Sequence, residues 1–149
     1  MAVSTMIKAI KQVHCYDLVM VKIGSFYHAY GKDSYILSYL FGYKLKKFEK
    51  EYSTCGFPAD SISKITSKLE NKKINYVLLD RRNEYDKIAE NSNGNLNKYQ
   101  EYFEKANKYV NMKKRIDNIY KILIENIDAE NAREKICEIE ETIYEKGKI

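Results

Sequence analysis

Apolar positions change their period several times along this chain, and each change marks an element. Met6, Ile7 and Ile10 within Ser4–Gln12 have helical spacing, with Ser4 available as an N-cap. Leu18-Val19-Met20-Val21-Lys22-Ile23 is a run of β-formers closed by Gly24, as expected of a largely buried strand. Phe26-Tyr27-His28-Ala29-Tyr30 then alternates and stops at Gly31, which predicts a second strand in a hairpin with the first. Asp33 or Ser34 can cap a helix running through Phe41, and Gly42 stands where a left-handed C-cap belongs. Tyr43-Lys44-Leu45-Lys46 alternates like a strand with one wet face, and Lys46, Lys47 and Lys50 mark a basic loop after it. Cys55-Gly56-Phe57-Pro58 holds the only proline and predicts a turn or strand end. Ile62, Ile65 and Leu69 outline a helix starting at Asp60 or Ser61. Ile74–Leu79 is the clearest strand, and another is expected around Tyr85–Ala89.

The texture changes at Asn91-Ser92-Asn93-Gly94-Asn95. Beyond it Tyr102, Ala106, Tyr109, Ile116, Tyr120, Leu123 and Ile127 keep spacings of three and four, interrupted at Lys113. Ala129, Ala132, Ile136, Ile139 and Ile143 repeat the pattern in a segment capped by Asp128. The pattern predicts an α/β (α+β) domain over residues 1–91 and an antiparallel helical hairpin over residues 92–149. The hairpin's apolar seam either packs within the chain or docks another protein or a second copy.

Composition narrows the class of protein. With 44% apolar and 32% charged residues in 149, the chain reads as a globular domain with an appended element. Residues 1–91 hold 15 Lys/Arg against 10 Asp/Glu, while residues 92–149 hold 11 of each. The excess positive charge is therefore confined to the first part. It is either a footprint for phosphates or a by-product of a Lys-, Ile-, Asn- and Tyr-rich composition. Cys15, Cys55 and Cys137 are far apart and lack CxxC spacing, and there are two histidines, so no metal site is expected. No apolar run approaches 18 residues and no secretory signal is visible, which points to the cytoplasm. No GxxxxGK[ST] loop, dinucleotide Gly motif or nucleophile–base arrangement occurs, so neither a cofactor nor an enzymatic activity is expected.

Four segments in order carry a resemblance. They are Lys22-Ile23-Gly24-Ser25-Phe26-Tyr27-His28, Phe41-Gly42-Tyr43-Lys44-Leu45-Lys46, Cys55-Gly56-Phe57-Pro58 with the helix from Asp60 to Glu70, and Tyr76-Val77-Leu78-Leu79. This order resembles the N-terminal, mismatch-recognition domain (domain I) of the MutS family, without that family's ATPase. The first segment is similar to the family's Gly-x-Phe-Tyr-Glu motif. The resemblance implies a mixed β-sheet flanked by helices and a non-catalytic module that binds distorted or mispaired duplex, DNA or RNA. Phe26 would be the wedge that stacks on a defective base, at an unstacking cost of a few kcal/mol that defective pairing lowers. An ordinary half-buried aromatic is the alternative for Phe26, and Tyr27 on the other face belongs to the core in either case.

The departure from the motif is His28, where the family has Glu. Imidazole both donates and accepts, so fine mismatch specificity does not carry over, and a solvated surface residue is the alternative. Lys46 and Lys47 stand where the family has a basic loop near the DNA backbone. Lys22, Arg81 and Arg82 flank elements that can face the same side, giving seven candidate contacts with Phe26 and His28. Similar MutS-like proteins accompany reverse transcriptases in diversity-generating retroelements, so the resemblance also admits an adaptor that has lost DNA recognition. A protein partner on the C-terminal helices, or a homodimer through them, is compatible with either reading.

Overall fold

The computed structural model describes residues 3–49 and 52–145. The order of elements is α1 (Val3–Val13), β1 (Leu18–Ile23), β2 (Phe26–Tyr30), α2 (Lys32–Phe41), β3 (Lys46–Glu49), β4 (Tyr52–Pro58), α3 (Ile62–Asn71), β5 (Tyr76–Asp80), β6 (Asp86–Asn91), α4 (Leu96–Glu125) and α5 (Ala132–Glu145). One mixed sheet has the order β3-β4-β2-β1-β5-β6. Only β1 and β5 run parallel, with Leu18 opposite Tyr76, and the other pairings are antiparallel. A parallel pair needs a long crossover, and here it contains β2, α2, β3, β4 and α3.

Both faces of the sheet are covered, so the central strands read as continuous apolar runs. Leu18, Met20, Tyr27, Ala29, Cys55, Phe57 and Leu78 pack with Ile36, Leu37, Ile65, Leu69, Tyr99 and Ala106 from α2, α3 and α4. Val19, Val21, Tyr30, Val77 and Leu79 point the other way, onto Ile7 of α1.

Several boundaries differ from the sequence expectation, each for a local reason. Val3 is already helical, so Ser4 lies inside α1 and is not its cap. Gly31, at φ 58, precedes α2, and neither Asp33 nor Ser34 caps that helix. Ser34 Oγ instead donates to the Gly31 carbonyl at 2.6 Å, and Asp33 is turned into the interior. Gly42 does close α2 in the left-handed conformation, its N–H donating to the Ser38 carbonyl at 2.8 Å. Tyr43, Lys44 and Leu45 are not in a strand. Tyr43 stacks on Phe41 and Phe57, and the strand begins at Lys46. Lys46 and Lys47 accordingly belong to edge strand β3 and not to a loop; Lys50 lies outside the described residues.

The chain forms two compact units, one up to Val110 and the other from Asn111. The first unit does not end at Asn91. Gly94 lies against the backbone entering β5, its N–H donating to Asn75 Oδ1 at 2.7 Å, and a Cβ there would sit 2.3 Å from the Lys73 carbonyl oxygen. The segment Asn91–Asn95 is therefore a fitted turn, and it delivers the buried Tyr99, Ala106 and Val110 of α4 to the same unit. In the second unit, residues 111–125 of α4 and all of α5 are helical, joined through turns at residues 126–131. The Asn131 carbonyl accepts from the Lys135 N–H, so α5 starts after Asn131 and Asp128 does not cap it.

Asp33 joins four elements of the first unit. Its carboxylate accepts from Lys11 Nζ at 3.1 Å, the Val19 N–H at 3.1 Å and Tyr99 Oη at 2.5 Å. Burial pushes the Asp33 carboxyl above its ordinary value, while the Lys11 ammonium and the donated hydrogen bonds oppose that shift. Removing one partner strands the rest in low dielectric. Tyr99→Phe is expected to lower unfolding free energy by about 2 kcal/mol, and Asp33→Ala by about 3–5 kcal/mol, read from urea midpoints with unchanged slopes.

Candidate nucleic-acid interface

The hairpin joining β1 to β2 has a two-residue loop, Gly24-Ser25, between the paired residues Ile23 and Phe26. Gly24 adopts φ 64, and nothing would touch an added Cβ, so backbone conformation alone favours glycine there. The Ser25 carbonyl accepts from the Ala59 N–H at 2.8 Å, tying the loop to the end of β4. Phe26 is thus held at the first position of β2 between Ile23 and Pro58, and remains 44% exposed.

Strand alternation places Phe26, His28 and Tyr30 on one face and buries Tyr27 and Ala29 on the other. The three rings form a row, with centroids 6.4 Å apart from Phe26 to His28 and 6.5 Å from His28 to Tyr30. Phe48 of β3 continues the row, 4.9 Å from Tyr30. His28 pairs with Gly56 on β4, where a Cβ would approach the imidazole to 3.0 Å. The missing side chain gives the His28 ring room beside the neighbouring strand.

The seven candidate contacts divide between the two sides of the sheet. Lys46 pairs with Thr54, which pairs with Tyr30, so Lys46 shares the face of the ring row. Arg81, in the turn after β5, is close enough to influence the Tyr30 hydroxyl, which burial pushes up to about 12 and Arg81 partly pulls back. Phe26, His28 and Lys46 therefore share one face of the sheet, with Arg81 near the Tyr30 ring of the same row. Lys22 does not join them: it pairs with Tyr27 and lies on the opposite face. Lys47 pairs with Ser53 and is also on that opposite face. Arg82 is exposed in the turn, its N–H donating to Asp80 Oδ1 at 3.0 Å.

Sequence reasoning passed over Tyr30, Phe48 and Gly56. The i, i+2, i+4 aromatic alternation of β2 signals Tyr30. Nothing local signals Gly56, whose part depends on its cross-strand partner. Among the described residues, no three His, Cys, Asp or Glu side chains are grouped to hold a metal ion. Burial pushes the Cys55 thiol up to about 12, so it stays protonated. Also among the described residues, no helix is long and apolar enough to cross a membrane. The face offers ring surfaces for stacking, one imidazole and two cations.

The chain carries a mixed six-stranded sheet, helices on both faces, and a hairpin loop that presents an aromatic residue. Residues 3–99, more than half of the chain, match the family described as MutS domain I. The chain belongs to that family. Among curated proteins, none matches it. The family match takes in α1 and reaches Tyr99, beyond the segments between Lys22 and Leu79 that carry the resemblance in the sequence.

Desolvation, with a smaller contribution from the Lys46 charge, lowers the His28 pKa below the ordinary histidine value. The folded state therefore resists protonation more than the unfolded chain. The stability associated with neutral His28 is present above the unfolded pKa and is lost as pH falls through that value toward the folded one. In an NMR titration the His28 ring should show a midpoint below about 6.5, and Lys46→Gln should raise it.

Proposed function

We propose that this chain is a non-catalytic nucleic-acid-binding accessory module that senses distorted or mispaired duplex, DNA or RNA, with Phe26 as an aromatic wedge. The observation that carries the reading is the exposure of Phe26 at the hairpin end of β2, beside His28 and on the face shared by Lys46, with Arg81 near Tyr30 of the same ring row. A ring at that position can enter a minor groove and stack where base pairing is weak, because an intact stack resists unstacking. Lys46 and Arg81 supply the cations for flanking phosphates, with Arg82 beside them; Lys22 and Lys47 lie outside this contact. Neutral His28 can donate or accept at a base edge, unlike the family's Glu, which only accepts when ionised. With few cations on the face, binding is weak and salt-dependent, as suits an accessory to a larger assembly.

A second reading rests on the other unit. Ile116, Ile119, Tyr120, Ile122 and Tyr144 are each more than half exposed, an apolar surface that suits assembly with another protein or a second copy. In that reading the helices are the working surface and the family fold serves as an adaptor, as for accessories of reverse transcriptases.

The readings separate on duplex binding. Fluorescence anisotropy with paired, mispaired and bulged DNA and RNA should show preference for the defective duplexes. Phe26→Ala should weaken binding to these by about tenfold, the scale of one lost stacking contact, and abolish the preference. Lys46→Ala and Arg81→Ala should each flatten the dependence of log affinity on log salt by about one unit. Equal affinity for every duplex, unchanged in Phe26→Ala, would overturn the wedge and favour the adaptor. For the helices, Ile116→Glu with Ile119→Glu is expected to reduce the mass measured by light scattering. A monomeric parent would exclude self-association.

A further inference from the structure

Beyond the far end of β2 from Phe26, the first unit has a groove of about 350 Å³, within the range of small-ligand sites. Its lining includes Gly31 and the rings of Tyr52, Tyr35 and Phe103. Tyr35 and Phe103 are stacked with centroids 6.3 Å apart. Two cations stand over this lining: Lys32 Nζ is 4.9 Å from the Phe103 centroid and Lys8 Nζ is 5.8 Å from the Tyr52 centroid. Ser53 and Asn107 add polar groups. Lys47, the register partner of Ser53, adds a third cation at the border, against Glu49 opposite Tyr52.

We propose that this groove is a second nucleic-acid subsite, which takes an unpaired nucleotide with its base against the aromatic lining and its phosphate at Lys32. The chemistry of the lining selects this class of ligand. A planar base gains from ring faces whatever its identity, and a phosphodiester gains from cations at the rim of the same groove. At Gly31 the lining has backbone where any other residue would add a side chain. An added Cβ there would approach the Tyr52 ring to 3.2 Å, and φ 58 disfavours other residues in any case. Lys47, which the sheet turns away from Phe26, is placed beside this groove instead.

The inference rests on the nucleic-acid reading for its ligand class but not on the wedge, because groove and wedge are separated by the length of β2, some 15 Å. The test is binding of a short fluorescent oligodeoxyadenylate at low salt, with deoxyadenosine monophosphate as competitor. Tyr52→Ala and Lys32→Glu are each expected to weaken single-strand binding about tenfold, whereas Phe26→Ala leaves it unchanged. Lys32 is exposed, so its charge reversal tests the site even where Tyr52→Ala fails to fold. Competition by the mononucleotide would assign a free nucleotide as an additional ligand, and absence of competition would assign the strand alone. The proposal is overturned by absence of single-strand binding, by unchanged affinity in Lys32→Glu, or by loss of that binding in Phe26→Ala. Loss of duplex discrimination alone would overturn the wedge and leave the groove standing.

Discussion

The buried Asp33 carboxylate is the constraint on which the first unit depends. It gathers an ammonium from α1, a backbone N–H from β1 and a hydroxyl from α4 at the N-terminal turn of α2. A carboxylate in this position is costly unless every donor is present, so the arrangement enforces the mutual placement of all four elements. It also explains why α4 begins as part of the sheet domain. Tyr99 is 2% exposed and its hydroxyl has a fixed acceptor, so the first turns of the long helix belong to the core.

With the helices placed, the period of β2 does the rest. Tyr27 and Ala29 are committed to the core, so Phe26, His28 and Tyr30 must face the other way. Tyr30 is covered by Phe48 and by the α1 side of the core, and His28 is half-buried beside Gly56. Phe26, next to the loop, is left exposed. An apolar ring in solvent and a neutral imidazole beside a cation make this end of the strand suited to stacking on a base. The opposite end of β2 leads into Gly31 and a groove lined by rings and rimmed by lysines. One short strand thus connects two surfaces of related chemistry.

The second unit has the reverse problem. Leu123, Ala132 and Ile136 are half-buried, but most apolar side chains around them are exposed. Two helices offer each other one narrow seam, and residues 111–125 carry isoleucines well beyond such a seam, at Ile122 and Ile124 as well as Ile116 and Ile119. A regular apolar period therefore describes helices correctly without saying what covers them.

By itself the sequence determined the elements whose apolar period is long or sharply punctuated. These include β1, the β1–β2 hairpin with its glycine, the left-handed end of α2 at Gly42, α3 and β5. The order Gly24-Ser25-Phe26-Tyr27 and the segments after it also sufficed for the family, because such short motifs are held in place by local turn geometry. What tertiary structure alone decided were the properties that depend on a partner distant in sequence. Asp33 reads as a helix cap until Tyr99, 66 residues on, turns it into a buried acceptor. Lys46 and Lys47 are equivalent as sequence, yet the register with Thr54 and Ser53 sends them to opposite faces. The texture change near Asn91 suggests a boundary, but burial of Tyr99, Ala106 and Val110 carries the first unit to Val110. Local spacing specifies conformation, whereas burial and cross-strand register belong to contacts that exist only once the sheet has formed.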